Sequence, residues 1–323
     1  MELTTIASPN TLGRLRPLNI LRDLTGVADL VELCFAPTLD SEGRSFLEQM
    51  RRNAHDSRFL RWAPGVIDSV SLPLSGFVWE DQGKIVGNAS LIPYRKDGRR
   101  ITLIANVATH PDYRRRGIGR LLTESALRRA RERSDEVWLQ VRADNPSAIH
   151  IYQQLGFQER ARRSTWLARP AEVENPPAPA ALTLRPRRPA DWEKQRAWLE
   201  NANPQEINWF SPTPSAAAIG PQWWNSLYRI FNDMTLHQRA AEWENSLAGI
   251  LTIQENYGSR RSLWLALPPQ PREELVRALL MEARQNFGRA HSLSLEHPSG
   301  PADAGIASAG FSAIRTLIWM KAA

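Results

Sequence analysis

The hydrophobic and polar positions of the chain alternate between two rhythms, and the clearest change of rhythm falls about a third of the way along it. Residues 101–109 (ITLIANVAT) are apolar and rich in β-branched side chains, and they stop at His110-Pro111. This pattern predicts a strand. From Arg120 to Arg133 the positions Leu121, Leu122, Ser125, Ala126, Arg129 and Ala130 recur at helical spacing, which predicts a helix. Residues 137–142 read as a second short strand. A helix with a full set of end signals follows: Asn145 as N-cap, Pro146 at the first helical position and Gly156 just past the end. Ala148, Ile149, Tyr152 and Leu155 share one face of that helix.

Between the first strand and its helix lies Arg114-Arg115-Arg116-Gly117-Ile118-Gly119. A glycine turn that leads from a strand into a helix N-terminus is an anion site. Backbone N–H groups converge there, and the helix dipole favours negative charge. Two common phosphate motifs do not fit. A P-loop needs a lysine and a hydroxyl after its second glycine, and here Arg120-Leu121 follow Gly119. A dinucleotide fingerprint needs a third glycine where Leu122 stands.

The ordered combination of Arg114-x-x-Gly117-x-Gly119 with Asn145-x-x-Ala148-x-x-x-Tyr152 and Gly156-Phe157 resembles the GNAT N-acetyltransferase superfamily. Those enzymes move an acetyl group from acetyl-coenzyme A to an amine. The resemblance covers residues 14–168 and implies an α/β (α+β) fold, with a mixed, mostly antiparallel central sheet flanked by helices. It also implies roles. Arg114, Arg115, Arg116, Gly117, Ile118, Gly119 and Arg120 would form the pyrophosphate loop. Val107, Ala108 and Thr109 would offer strand backbone to the pantetheine arm, and Asn145 and Ala148 would lie on the coenzyme side. Tyr152 would be the general acid. In the chemistry implied, a neutral amine attacks the thioester and a thiolate leaves, so a phenol beside the sulfur can donate a hydrogen bond or a proton. The N–H of Val107 is the expected stabiliser of the carbonyl oxygen.

The base is less legible. Ribosomal-protein alanine acetyltransferases share the local text WLxVRAxN and carry a glutamate at its third position, where this chain has Gln140. Glutamine accepts no proton, so the route runs through water, with Asn106 a residue that could orient it, or through another residue. Glu80 and Asp81 read as solvated members of a hairpin turn, Glu80 to Lys84.

Composition narrows the setting. At 323 residues with 42% hydrophobic content, two ordinary domains are expected. No run approaches a membrane span, and MELTTIASPN has neither the basic nor the apolar part of a secretory leader. Cys34 is the one cysteine, which fits a reducing cytoplasm, and it reads as packing on a helix face. Six scattered histidines show no metal-ligand spacing, so no metal is expected. The net charge of +7 is almost all arginine, spread along helices and without stacking aromatics, so nucleic acid is not the expected partner.

The second half echoes the first. After a Pro-rich stretch (RPAEVENPPAPAA), Leu184-Arg185-Pro186 repeats Leu15-Arg16-Pro17. Trp243 to Ser246 matches the Glu80 hairpin, residues 263–267 the central strand, residues 273–287 the helix, and Ala309-Gly310-Phe311 the text Leu155-Gly156-Phe157. The matching loop, Pro268 to Glu274, holds three prolines and two carboxylates, and Ile306 replaces the tyrosine. This half is therefore expected not to bind coenzyme A in the usual way. It holds eight of the twelve tryptophans. Trp209, Phe210, Trp223 and Trp224 are candidates for an apolar acceptor pocket or an interface.

The expected organisation is a tail (1–12), a catalytic domain (13–169), a linker (170–181) and a degenerate domain (182–323). The expected activity is acetylation of a primary amine, of a small molecule, with acetyl-coenzyme A as co-substrate. Two alternatives stay open: a sensor that binds an acyl-coenzyme A without chemistry, and a protein N-terminal or lysine acetyltransferase.

Overall fold

The computed structural model of the chain describes residues 13–36, 41–56, 73–174, 179–207, 209–210, 220, 235–255 and 260–323. The tail at 1–12, Trp223 and Trp224 lie outside the described residues. The chain forms two compact units. The first comprises residues 1–141, 145–159 and 320–323, and the second residues 142–144 and 160–319.

In the first unit, β1 (Arg14–Pro17), β2 (Ser75–Asp81), β3 (Lys84–Lys96) and β4 (Arg99–Thr109) pair antiparallel in that order. Strand β5 (Glu136–Arg142) then adds parallel to β4. Alternation along β2 sends Val78 to one face and Trp79 to the other. Val78 packs with Leu24, Val27 and Val31 of α1 (Ile20–Phe35) and Leu47 and Met50 of α2 (Ser41–His55). On the opposite face lies α3 (Ile118–Arg131), which buries Ile118, Leu122, Ala126 and Ala130 at four-residue spacing. Its close approach depends on Gly87. A Cβ there would stand 2.8 Å from Leu122 Cδ1 and 3.0 Å from Ile118 Cγ2. A further helix, α4 (Pro146–Gln154), is capped by the Asn145 side chain, which accepts from Ala148 N.

The second unit repeats the plan. Strands β7 (Leu182–Pro186), β8 (Thr235–Trp243), β9 (Ser246–Glu255) and β10 (Arg260–Ala266) pair antiparallel, and β11 (Ser292–Pro298) pairs parallel to β10. Strand β6 (Phe157–Ala168) pairs with β11, and β12 (Ser312–Ala322) neighbours β6. Helix α5 (Trp192–Asn201) follows β7, α6 (Glu273–Phe287) follows β10 and α7 (Asp303–Ser308) follows β11. The repetition reaches single contacts. Arg16 is held by Asp23 (2.6 and 2.9 Å) and by Glu80 (2.5 Å). Arg185 is held by Asp191 (2.7 and 2.9 Å) and by Glu242 (2.6 Å). Gly249 matches Gly87, with a Cβ that would stand 2.8 Å from Leu275 Cδ2. The β2–β3 hairpin turns on Gln82 and Gly83 with φ of 47° and 79°, and β8–β9 on Glu244 and Asn245 with φ of 49° and 64°.

Candidate active site

The site is made by a defect in the first unit's sheet. Strands β4 and β5 run in parallel register from Ile101↔Glu136 to Ile104↔Leu139, and there the pairing stops although β4 continues to Thr109 and β5 to Arg142. On its other edge β4 pairs Ala105 with Ser90 and Ala108 with Asn88, so Asn106 and Val107 together oppose the single residue Ala89. This is a β-bulge, which bends the strand and leaves the extra residue out of the ladder. Asn106 takes a left-handed φ of 51° there. Burial along β4 drops at Ala105, Asn106 and Val107, after four buried residues. A strand whose backbone leaves its neighbour exposes N–H and C=O groups to whatever enters the gap.

Asn88 holds the bulge in place. It is 0% exposed, and its side-chain amide donates to the Asn106 carbonyl at 2.9 Å and to Ser90 Oγ at 3.1 Å. Its own Oδ1 is buried and has no partner among the described residues.

The loop after β4 is tied at several points. Tyr113 Oη donates to Asp81 Oδ2 at 2.7 Å, Arg116 lies over the Tyr113 ring at 4.9 Å, and Arg114 Nε donates to the Thr109 carbonyl at 3.3 Å. Arg115 (φ 61°) and Gly117 (φ 78°) adopt left-handed conformations. Residues 114–117 are exposed, and a Cβ on Gly117 would meet no protein atom within 4 Å. Arg115 makes no hydrogen bond or ion pair among the described residues. Helix α3 starts at Ile118, two residues earlier than the sequence pattern indicated, so Ile118, Gly119 and Arg120 form its first turn and the Ile118 side chain is buried. The first-turn N–H groups have no partners within a helix, so they face the loop.

Tyr152 lies on the buried side of α4, with its ring centroid 6.1 Å from that of Phe157. Its hydroxyl has no hydrogen-bond partner among the described residues. Burial pushes its pKa up to about 12. The two sequence motifs meet where Arg120 of α3 donates to Gln154 of α4 at 2.9 Å. Gln140 stands one residue past the last β4–β5 pair and is half-buried. His150 points outward and contacts Gln154.

Two expectations need correction. Glu80 and Asp81 are not solvated turn residues. Glu80 accepts from Arg16 and from Arg22 (2.7 Å), and the Arg16 hydrogen bond holds its carboxyl below the usual range. Asp81 is buried and accepts from Tyr113. Glu80 ties β1 to α1 and Asp81 anchors the loop after β4. Cys34 is only partly packing: its Sγ donates to the Thr109 carbonyl at 3.4 Å, and burial raises its pKa. Asn88 and Tyr113 were missed in the sequence. The available signal was Asn88 itself, a polar residue inside the apolar run VGNASLI.

The second unit lacks these features. β9 and β10 pair without a shift from Arg261↔Glu255 to Ala266↔Ile250. Ile306, in the tyrosine's place, is buried, and a Cβ on Gly305 would stand 2.7 Å from Val276 of α6. Helix α7 thus packs directly on α6, whereas α3 and α4 barely touch. The Pro268–Arg272 loop has Arg272 stacked 4.5 Å above Trp243. Trp209 and Phe210 pack against Trp319, at 5.7 and 4.6 Å between centroids, as core aromatics of this unit.

Residues 39–157 match the family model described as Acetyltransferase (GNAT) family. Among curated proteins, the [Ribosomal protein bS18]-alanine N-acetyltransferase of Escherichia coli (strain K12) is 42% identical over 62 residues, covering 19% of this chain and 42% of that enzyme. Mycothiol acetyltransferase of Salinispora arenicola (strain CNS-205) is 34% identical over 145 residues, covering 42% of this chain and 45% of that enzyme. The chain thus spans less than half the length of these curated relatives. Among solved structures, a tandem GNAT protein from the clavulanic acid biosynthesis pathway superposes with a TM-score of 0.51 at 17% identity, covering 95% of this chain and 97% of that one. A GCN5-related N-acetyltransferase from Sphaerobacter thermophilus superposes with a TM-score of 0.58 at 16% identity, over 95% of both chains. These likenesses establish the fold along the chain, and the family match places a GNAT acetyltransferase domain in its first half.

Proposed function

We propose that this chain, which carries a GNAT acetyltransferase domain over residues 39–157, transfers the acetyl group of acetyl-coenzyme A to a primary amine, and that the first half does this alone. The observation that carries the reading is the opening of β4 from β5 beyond Ile104↔Leu139, beside the bulge at Asn106 and Val107. The pantetheine arm would pair with the backbone of Val107, Ala108 and Thr109. Backbone N–H groups of Arg115 to Gly119, with the Arg115 and Arg120 side chains, would hold the pyrophosphate, and Asn145 and Ala148 would flank the coenzyme. In chain order the catalytic domain would be 13–169 and the degenerate domain 182–323, joined by 170–181, although residues 160–168 group with the second compact unit and 320–323 with the first.

In the reaction the neutral amine forms a bond to the thioester carbon, the C–S bond breaks, and the carbonyl oxygen carries the transient charge. The Val107 N–H would stabilise that oxygen. With a pKa of about 12, Tyr152 is a poor proton donor to a thiolate near 8.5, a transfer uphill by roughly 5 kcal/mol. Its unpartnered hydroxyl would therefore stabilise the leaving sulfur by a hydrogen bond, and the proton that sulfur finally takes would come from the ammonium formed on attack. Gln140 and Asn106 would orient the water that relays it. Proximity supplies the rest.

The acceptor is read as a small molecule. Mycothiol and amino acids are named for relatives of this chain, although one relative's name specifies a ribosomal protein. A reducing, cytoplasmic setting fits the single, half-buried Cys34. One observation favours a second reading: the amide of Gln140 in a carboxylate's place suits a sensor of acyl-coenzyme A that performs no transfer. The test is release of free thiol from acetyl-coenzyme A across a panel of amines, with Gly117→Glu as the control that removes binding. Amine-dependent release supports the enzyme, and tight binding with none supports the sensor.

A further inference from the structure

The two units build the same strands with a difference of one residue. In the first, Ile104 pairs with Leu91 and Ala108 with Asn88, four residues apart on β4 against three on β3. In the second, Leu263 pairs with Ile253 and Ala266 with Ile250, three apart on both strands. Both frames are fixed independently by Gly87 and Gly249, the glycines under α3 and α6, and by the parallel pairs Ile104↔Leu139 and Leu263↔Leu295. Aligned on these points, Asn88 corresponds to Ile250. The unit with the extra residue therefore has an amide where the unit without it has an isoleucine.

That amide makes a contact isoleucine cannot make. A bulged residue has no ladder partner for its carbonyl, and Asn88 Nδ2 supplies one for Asn106 at 2.9 Å. The same amide reaches Ser90 Oγ at 3.1 Å, whose strand position faces Ala105 at the start of the irregularity. Asn88 thus grips the bulge at both ends while its own Oδ1 stays buried and unpartnered, which core packing alone would not favour.

We propose that Asn88 is a positioning residue of the acetyl-transfer site: by clamping the Asn106 carbonyl it orients the peptide whose N–H belongs to Val107 toward the thioester carbonyl oxygen. Residues 106 and 107 share that peptide, so fixing its carbonyl end fixes the direction of its N–H. The loss of one β10 residue together with the asparagine accounts for the inactive geometry of the second unit. This rests on the acetyl-transfer reading above.

The experiment uses the full chain and acetyl-coenzyme A labelled with carbon-13 at the carbonyl. Infrared difference spectra report the hydrogen bond to that carbonyl directly, and calorimetry and thiol release report affinity and turnover. In the wild type the bound carbonyl band lies below its position in free acetyl-coenzyme A. In Asn88→Ala it moves back toward the free position and kcat falls by about tenfold to a hundredfold, with affinity within roughly threefold, because the donor is misaimed rather than removed. Asn88→Asp keeps the shape but presents an acceptor to an acceptor. Its band moves back as well, and returns to the wild-type position when the pH is lowered enough to protonate the carboxyl. Wild-type band position and turnover in both variants would overturn the proposal. So would loss of coenzyme affinity and of folding together in both, since that marks a purely structural residue. A wild type that binds no acetyl-coenzyme A takes down the underlying reading too, and is distinguished because the variants are then not needed to see it.

Discussion

Gln140 and Glu296 occupy the same register position in the two halves of the chain: each is the first residue after the last parallel strand pair, Ile104↔Leu139 in one unit and Leu263↔Leu295 in the other. The half with the opened strand carries the amide. The half without the bulge carries the carboxylate, and Arg163 Nε holds it at 2.9 Å. The opened strand and the carboxylate therefore fall in different repeats. Gln140→Glu should give the first half a base. For an alkylamine acceptor, whose ammonium is near pKa 10, kcat/KM at neutral pH should rise by about tenfold, with a new acid limb in the carboxylate range. An unchanged pH profile would show that Gln140 does not face the acceptor.

Tyr152→Phe removes a hydroxyl that no group among the described residues engages. Turnover should fall by about tenfold to a thousandfold while acetyl-coenzyme A affinity stays within about twofold. The pH dependence follows from burial. With the phenol pushed up to about 12, it stays protonated throughout the working range, so the profile of kcat/KM should rise with amine deprotonation and show no falling limb below pH 10. The same shift has a sign for stability. The folded chain keeps this proton longer than the unfolded one, so the contribution is present below the ordinary phenol value of 10.0 and is lost as pH rises toward about 12. A falling limb near neutrality that disappears in Tyr152→Phe would contradict this.

Arg16 and Arg185 are twin clasps, and each should matter through the carboxylates it leaves behind. The Asp23 side chain is 2% exposed. Its burial raises the carboxyl pKa, but the hydrogen bonds from Arg16, Asn19 N and Arg22 outweigh that and the net direction is down. Asp191 is lowered chiefly by its hydrogen bond to Arg185. Lowered carboxyl pKa values add stability above the ordinary aspartate value of 3.8 and lose it as pH falls through the folded values. Arg16→Leu should destabilise the first unit by about 3 kcal/mol at neutral pH, with a smaller loss in acid. Arg185→Leu should do the same to the second unit. Thermal unfolding followed across pH checks both, and equal losses at pH 7 and near pH 3 would refute the linkage.

Much of this site was legible because it is written in local text. Strand, glycine turn and helix are adjacent in sequence, Asn145 and Pro146 start a helix by capping rules that need no tertiary partner, and the repeat shows in Leu-Arg-Pro and Gly-Phe. The hairpin turns were found for the same reason. What stayed hidden depends on pairing between strands far apart in sequence. The bulge exists only in the register of β3 against β4, and nothing in ITLIANVAT announces that Asn106 and Val107 share one partner. Asp81 was misjudged because its partner Tyr113 lies 32 positions away, in the loop beyond β4. Nor does chain order reveal that residues 160–168 belong with the second unit and 320–323 with the first.

The proposed function requires one competent coenzyme site per chain, in the first half. Calorimetric titration of the full chain with acetyl-coenzyme A tests it most directly. One molecule bound per chain, abolished by Gly117→Glu and untouched by Ile306→Ala, is the predicted result. Two molecules per chain, or one that survives Gly117→Glu, would contradict it.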